Sequence, residues 1–220
     1  MRLRCLSAVC LFISSLHAVS LTTPTESYST TLFDDFDSSY INTSRWQVAT
    51  WSEHGGQTGK ERCFAKDGFL HMVFINSSED GFLSAAMQTR EEFLYGRWET
   101  RLKPSSVSGV LNSMYTIDWN NTADGSSASN GTRQEIDIEF LTFAFGNDTG
   151  SVHFAVHEQD RESFQTNPDV PLSFNPSDDF HIWGYEITPE KIEWFVDSIT
   201  LKTYEYTQND ISITSPSLPA

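Results

Sequence analysis

Glu135, Asp137 and Glu139 are separated by single isoleucines, and the run continues into Phe140. Alternate residues of an extended strand share a face, so this spacing puts three carboxylates on one side and Ile136, Ile138 and Phe140 in a core on the other. At about 6.5 Å between alternate side chains and an effective dielectric near 20, each neighbouring pair of charges repels by about 2.5 kcal/mol. Such a set divides its protonation, one group holding a proton near neutral pH while another stays ionised. General acid/base work joined to nucleophilic attack on a glycosidic bond requires that division. The ordinary alternative, a solvated face on an exposed strand, is outweighed by the flanking sequence.

A second run has the same parity. In Ser151 to His157, Val152, Phe154 and Val156 alternate with His153, Ala155 and His157. If the two strands are neighbours, both histidines line the same groove as the carboxylates. Taken singly, each histidine reads as a surface residue.

The elements that position these groups are strands. Short segments rich in aromatic and β-branched residues recur between turn signals, and no stretch of a dozen residues keeps a helical period. The clearest run from Phe69 to Ile75, Gly81 to Gln88, Gly96 to Lys103, Gly109 to Asp118, Glu135 to Phe140, Ser151 to His157, Phe180 to Ile187 and Lys191 to Asp197. Thr188-Pro189-Glu190 joins the last two as a hairpin, and the Asn-, Ser- and Gly-containing run from Asn120 to Gly131 is a loop feeding the acidic strand. The fold class is therefore all-β, two packed antiparallel sheets in a sandwich or jelly roll.

With these segments in place the chain resembles family 16 of the glycoside hydrolases, whose signature is a Glu-x-Asp-x-Glu strand inside a concanavalin-like jelly roll. The matching segments are Phe33 to Asp37, Trp46, Tyr95 to Pro104, Glu135 to Leu141, Phe180 to Ile187 and Trp194 to Asp197, in the family's order. No residue is inserted between Asp137 and Glu139 beyond Ile138, which is similar to the lichenase and xyloglucan-transglycosylase branch rather than the laminarinase one. The resemblance implies that Glu135 is the nucleophile, Glu139 the acid that later acts as base, and Asp137 an auxiliary carboxylate between them. It implies retention of configuration, which needs carboxyl groups about 5 to 5.5 Å apart. Four residues of strand span about 13 Å, so the sheet must be bent and concave. Sugar rings stack on aromatics and hydrogen-bond through hydroxyls. Trp51, Phe93, Tyr95, His153 and His157 are the substrate-binding candidates by position against the family pattern. Core or loop packing is an equal alternative for Trp51 and Phe93.

Three departures from the pattern stand out. Arg133-Gln134 occupy the approach where lichenases carry a Trp. Cys63 falls where such enzymes place half of a disulfide, and the partner position is Ser84. Family members also continue with further strands beyond the point corresponding to Pro219-Ala220, and the segment from Thr207 has loop composition, so a C-terminally truncated domain is expected.

Residues 1–20 carry Arg2 and Arg4, an apolar run from Cys5 to Leu16 and a terminal Ala18-Val19-Ser20, the pattern of a secretory signal peptide, leaving residues 21–220 as one domain. Without the two arginines, 12 Lys and Arg face 30 Asp and Glu. That excess of acid disfavours nucleic acid and anionic membranes and suits a neutral polysaccharide. Cys5 and Cys10 fall in the signal, so Cys63 has no intrachain partner and is expected to be buried. Sequons at Asn42, Asn76, Asn120, Asn130 and Asn147 suit a secretory route. No cofactor or metal ligand set is called for, and nothing assigns a structural calcium site. The combined expectation is a secreted, monomeric endo-β-glucanase acting on β-1,3/1,4-linked glucan by double displacement. Its alternatives are a transglycosylase of the same family and a non-catalytic carbohydrate-binding module on the same fold.

Overall fold

Period-two alternation of apolar and polar residues yields strands throughout the computed structural model, which describes residues 3–7, 32–50, 52–53, 56–93, 95–119, 133–158 and 169–205. In chain order the strands are β1 (Leu3–Ser7), β2 (Trp46–Val48), β3 (Ser52–Glu53), β4 (Gly56–Thr58), β5 (Cys63–Lys66), β6 (Phe69–Met72), β7 (Ile75–Ser77), β8 (Gly81–Ser84) and β9 (Met87–Phe93). They continue as β10 (Gly96–Leu102), β11 (Leu111–Trp119), β12 (Arg133–Leu141), β13 (Gly150–Glu158), β14 (Val170–Leu172), β15 (His181–Ile187), β16 (Lys191–Val196) and β17 (Ile199–Glu205). Two 3-10 turns, Lys60–Arg62 and Thr142–Ala144, are the helical elements among the described residues.

The larger sheet has the order β14-β13-β12-β11-β1-β9-β2, and the facing sheet runs β10-β15-β16-β17. Ile136, Ile138 and Phe140 of β12 and Val152, Phe154 and Val156 of β13 are buried against Trp183, Tyr185 and Trp194 of β15 and β16. Phe140 meets Trp183 edge-on at 4.7 Å, and Phe154 stacks on Trp194 at 5.6 Å. Each such side chain contributes about 1.5–3 kcal/mol by leaving water, so this layer fixes which face of β12 is core and which is free for chemistry. Phe36, Trp46, Cys63, Ala65, Leu70 and Met87 form a second, smaller cluster. Cys63 is buried there, its Sγ 3.7 Å from Met87 Sδ. The neighbouring Arg62 Nε donates to the Ser84 carbonyl at 3.0 Å, so the two segments adjoin without a bridge.

The structure divides two of the expected strands. Phe69 to Ile75 becomes β6 and β7, and Gly81 to Gln88 becomes β8 and β9. In each case the chain passes from one sheet to another, and the freed backbone groups find partners elsewhere: Val73 N–H donates to Arg62 O at 2.8 Å, and Ala86 O accepts from Ala49 N–H at 2.9 Å. The outer face of the smaller sheet depends on a glycine. A Cβ on Gly184 would lie 2.2 Å from Trp98 O and 2.3 Å from the Phe195 ring, so only a hydrogen lets Phe195 fold over the strand. Arg97 then caps that ring, its guanidinium carbon 3.6 Å from the centroid.

β1 lies between β9 and β11, with Arg4 opposite Ile117 on one side and Glu92 on the other. These residues fall within the stretch whose pattern reads as a signal peptide.

Candidate active site

β12 is flanked by β11 and β13, and the antiparallel register aligns its acids into three rungs. Glu139 lies between Ser113 and His153, Asp137 between Tyr115 and Ala155, and Glu135 between Ile117 and His157. Directly opposed residues share a face, so all three acids and both histidine positions belong to the side of the sheet away from the isoleucines. The acids are not equivalent. Glu135 and Asp137 are buried, 6% and 4% exposed, whereas the Glu139 side chain keeps 26% of its surface.

His153 is held in place from the outer side. Its Nδ1 is 2.7 Å from Asp169 Oδ1, and its Nε2 faces Glu139 Oε2 at 3.9 Å, inside Coulombic range and beyond hydrogen-bond length. Asp169 stands immediately before β14, which pairs with β13 through Val152 and Val170. The same carboxylate acts on Lys202 of β17: burial lowers the Lys202 pKa, and the Asp169 charge opposes that shift. Behind the acids, Trp194 Nε1 donates to the main-chain carbonyl of Asp137 at 3.0 Å, a buried bond from the opposing sheet.

The proposed sugar-binding residues divide. His153 and the His157 position adjoin the acids. Trp51 lies outside the described residues. Phe93 pairs with Leu3, one step out of phase with the Arg4, Ile117 and Glu135 rung, so its ladder position is on the opposite face. Tyr95 precedes β10 of the other sheet and packs against the inter-sheet core, where burial and the Glu190 charge raise its pKa. Aromatic character marks both a stacking surface and a core residue, and the strand register separates the two. Asp169, on His153, and Tyr115, opposite Asp137, join the site without standing out in the sequence. Tyr115 falls in the expected Gly109 to Asp118 strand with the parity that faces Asp137, whereas Asp169 precedes a three-residue strand too short to show a period.

Fold and acid strand together define a jelly-roll protein of the glycoside hydrolase type. The model of glycosyl hydrolases family 16 matches residues 57–220, and the chain belongs to that family. It is 28% identical over 171 residues to a β-glucanase of Paenibacillus macerans, an overlap covering 75% of this chain and 66% of that protein. It is 30% identical over 183 residues to xyloglucan endotransglucosylase/hydrolase protein 15 of Arabidopsis thaliana, covering 80% of this chain and 50% of that one. The chain thus spans about half to two thirds of the length of these relatives. Among solved structures it resembles a prokaryotic β-1,3-1,4-glucanase (lichenase) derived from a mouse hindgut metagenome, with TM-score 0.63, 27% identity and coverage of 80% of this chain and 78% of that one.

Proposed function

We propose that this protein is an exported endo-acting β-glucanase that cleaves β-1,3/1,4-linked glucan with retention of configuration. The observation that carries the reading is the ladder of three carboxylates with unequal exposure. Glu135, buried and opposite the His157 position, attacks the anomeric carbon, while Glu139 passes its proton to the departing glycosidic oxygen. Glu139 then takes a proton from water, whose oxygen displaces Glu135 from the sugar and restores both groups. The more exposed acid suits the proton-transferring role, because it must meet leaving group and water in turn. Asp137, between them, keeps their protonation states apart by its charge. The β-glucanase and lichenase relatives support the substrate class.

Interception of the glycosyl-enzyme by a sugar hydroxyl is the second reading, favoured by the 30% identity to the Arabidopsis endotransglucosylase/hydrolase. Export rests on the Arg2, Arg4 and Cys5 to Leu16 pattern, and a neutral polysaccharide partner on the acidic charge balance. The test is incubation with barley mixed-linkage glucan, laminarin and xyloglucan, reading new reducing ends and chain exchange. New reducing ends on mixed-linkage glucan, lost in Glu135→Ala, support the glucanase. Exchange on xyloglucan without net hydrolysis favours transfer. Binding without turnover, the same in wild type and Glu135→Ala, overturns both in favour of a binding module.

A further inference from the structure

In a different sheet from the acid ladder, two exposed phenylalanines stack beside a sequon. Phe74 and Phe82 lie 5.7 Å apart with their planes inclined by 26°, and they keep 43% and 53% of their surface exposed. Ile75, beside them in sequence, is also exposed at 42%. Asn76 stands directly opposite Phe82 in the β7–β8 ladder, so the asparagine and the ring share a face. β7 is the outer strand of its sheet, so among the described residues no strand pairs beyond Asn76 on that side. Asn76-Ser77-Ser78 has the Asn-x-Ser acceptor pattern, and Phe74 sits two residues before the asparagine.

The other two sequons among the described residues differ. Asn42 Oδ1 accepts from the Ser44 amide at 3.0 Å and from the Ser44 hydroxyl at 2.7 Å, so its carboxamide is already engaged in a turn. Asn147 follows Phe145, but that ring packs against the inter-sheet core. At Asn76 the turn is set by the next side chain instead: Ser77 Oγ accepts from the amides of Glu79 and Asp80 at 3.2 and 3.1 Å, and Asn76 and Ser78 are exposed.

We infer that Asn76 is a glycosylation site whose first N-acetylglucosamine lies on the Phe74–Phe82 pair. In the transfer, the Asn76 side-chain nitrogen bonds to the anomeric carbon of a lipid-diphosphate-linked oligosaccharide. The bond from that carbon to the diphosphate breaks, the lipid diphosphate departs with the electron pair, and the amide loses one proton. The β-linked sugar has an apolar face of axial C–H groups, and aromatic faces are the surfaces on which such a face packs. The attached sugar would cover an apolar patch that otherwise meets water.

The test expresses the full chain through a eukaryotic secretory pathway, maps glycopeptides by mass spectrometry, and compares Tm before and after trimming to a single N-acetylglucosamine. Asn76 is expected to be occupied, and wild type to melt about 2–4 °C above Asn76→Gln, the shift surviving trimming. In Phe82→Thr the occupied and Asn76→Gln forms should melt together, and Phe74→Thr supplies the same comparison should Phe82→Thr fail to fold. An unoccupied Asn76 overturns the inference, as does a shift that persists undiminished in both phenylalanine variants.

Discussion

The indole of Trp194 donates to the main-chain carbonyl of Asp137 at 3.0 Å, so the side chain that fills the core of the smaller sheet also ties down the middle of the acid-bearing strand. Core and site are coupled through one bond, because Ile136 and Ile138 on either side of Asp137 are packed into the same layer. Trp194→Phe keeps an aromatic there and removes the donor. It should lower stability by about 2 kcal/mol, from the lost hydrogen bond and the smaller ring. If the placement of β12 governs catalysis, kcat should also fall by about tenfold, since small misplacements of reacting groups are expensive. Denaturant unfolding and steady-state kinetics check both; a variant unchanged in each would mean that the bond is incidental.

His153 and Asp169 should behave as one unit. The imidazole stands between Glu139 at 3.9 Å and Asp169 at 2.7 Å, so either His153→Gln or Asp169→Asn breaks the same chain of contacts. Each single variant is expected to lower kcat by about tenfold, less than direct removal of an acid or base. The double variant should lose little more than either single one. Losses that multiply in the double-mutant cycle would show that the two residues act separately.

Tyr95 supplies a pH dependence. Burial, and then the nearby Glu190 charge, raise its pKa above that of an exposed phenol. The unfolded chain therefore releases this proton first, at about pH 10, and unfolding becomes easier as pH rises from there through the folded-state value. Below about pH 9 the phenol is neutral in both states and the effect vanishes. Tyr95→Phe should flatten the alkaline fall in stability while leaving the neutral-pH slope unchanged. An alkaline limb identical to wild type would contradict the assignment.

Much of this architecture was legible because period-two patterns are local. Ile136, Ile138 and Phe140 announced the buried face of β12, and Val152, Phe154 and Val156 that of β13. Their adjacency was only a condition in the sequence, and the register supplies it together with the placing of His153 opposite Glu139. Other features depend on contacts distant in sequence. Nothing local tells Tyr95, against the inter-sheet core, from an aromatic beside the acids. The turn joining β16 to β17 was hidden as well: Asp197 and Ser198 both take positive φ, 45° and 76°, without the glycine that usually marks such a turn. The Asp197 carboxylate is held there, accepting from Ile182 N–H at 2.8 Å through one oxygen and lying 2.6 Å from His181 Nδ1 through the other.

The segment Leu3–Ser7 has two competing fates. It pairs between β9 and β11, and it lies in a stretch patterned as an export signal. Export with processing predicts a mature N-terminus at Leu21, which would remove β1 and bare the facing edges of β9 and β11. Intact-mass measurement of protein recovered from culture medium decides. A mass that retains residues 3–7 would make β1 part of the working sheet and refute cleavage.

The three carboxylates of β12 are the centre of the account, and the stereochemistry of the first product tests them most directly. Proton NMR of the reducing end formed in the first minutes on mixed-linkage glucan, before mutarotation, should show the β-anomer, and Glu135→Ala should form it at least about 10⁴-fold more slowly. A first-formed α-anomer, or undiminished turnover in Glu135→Ala, would contradict the assignment of Glu135 as nucleophile and Glu139 as acid.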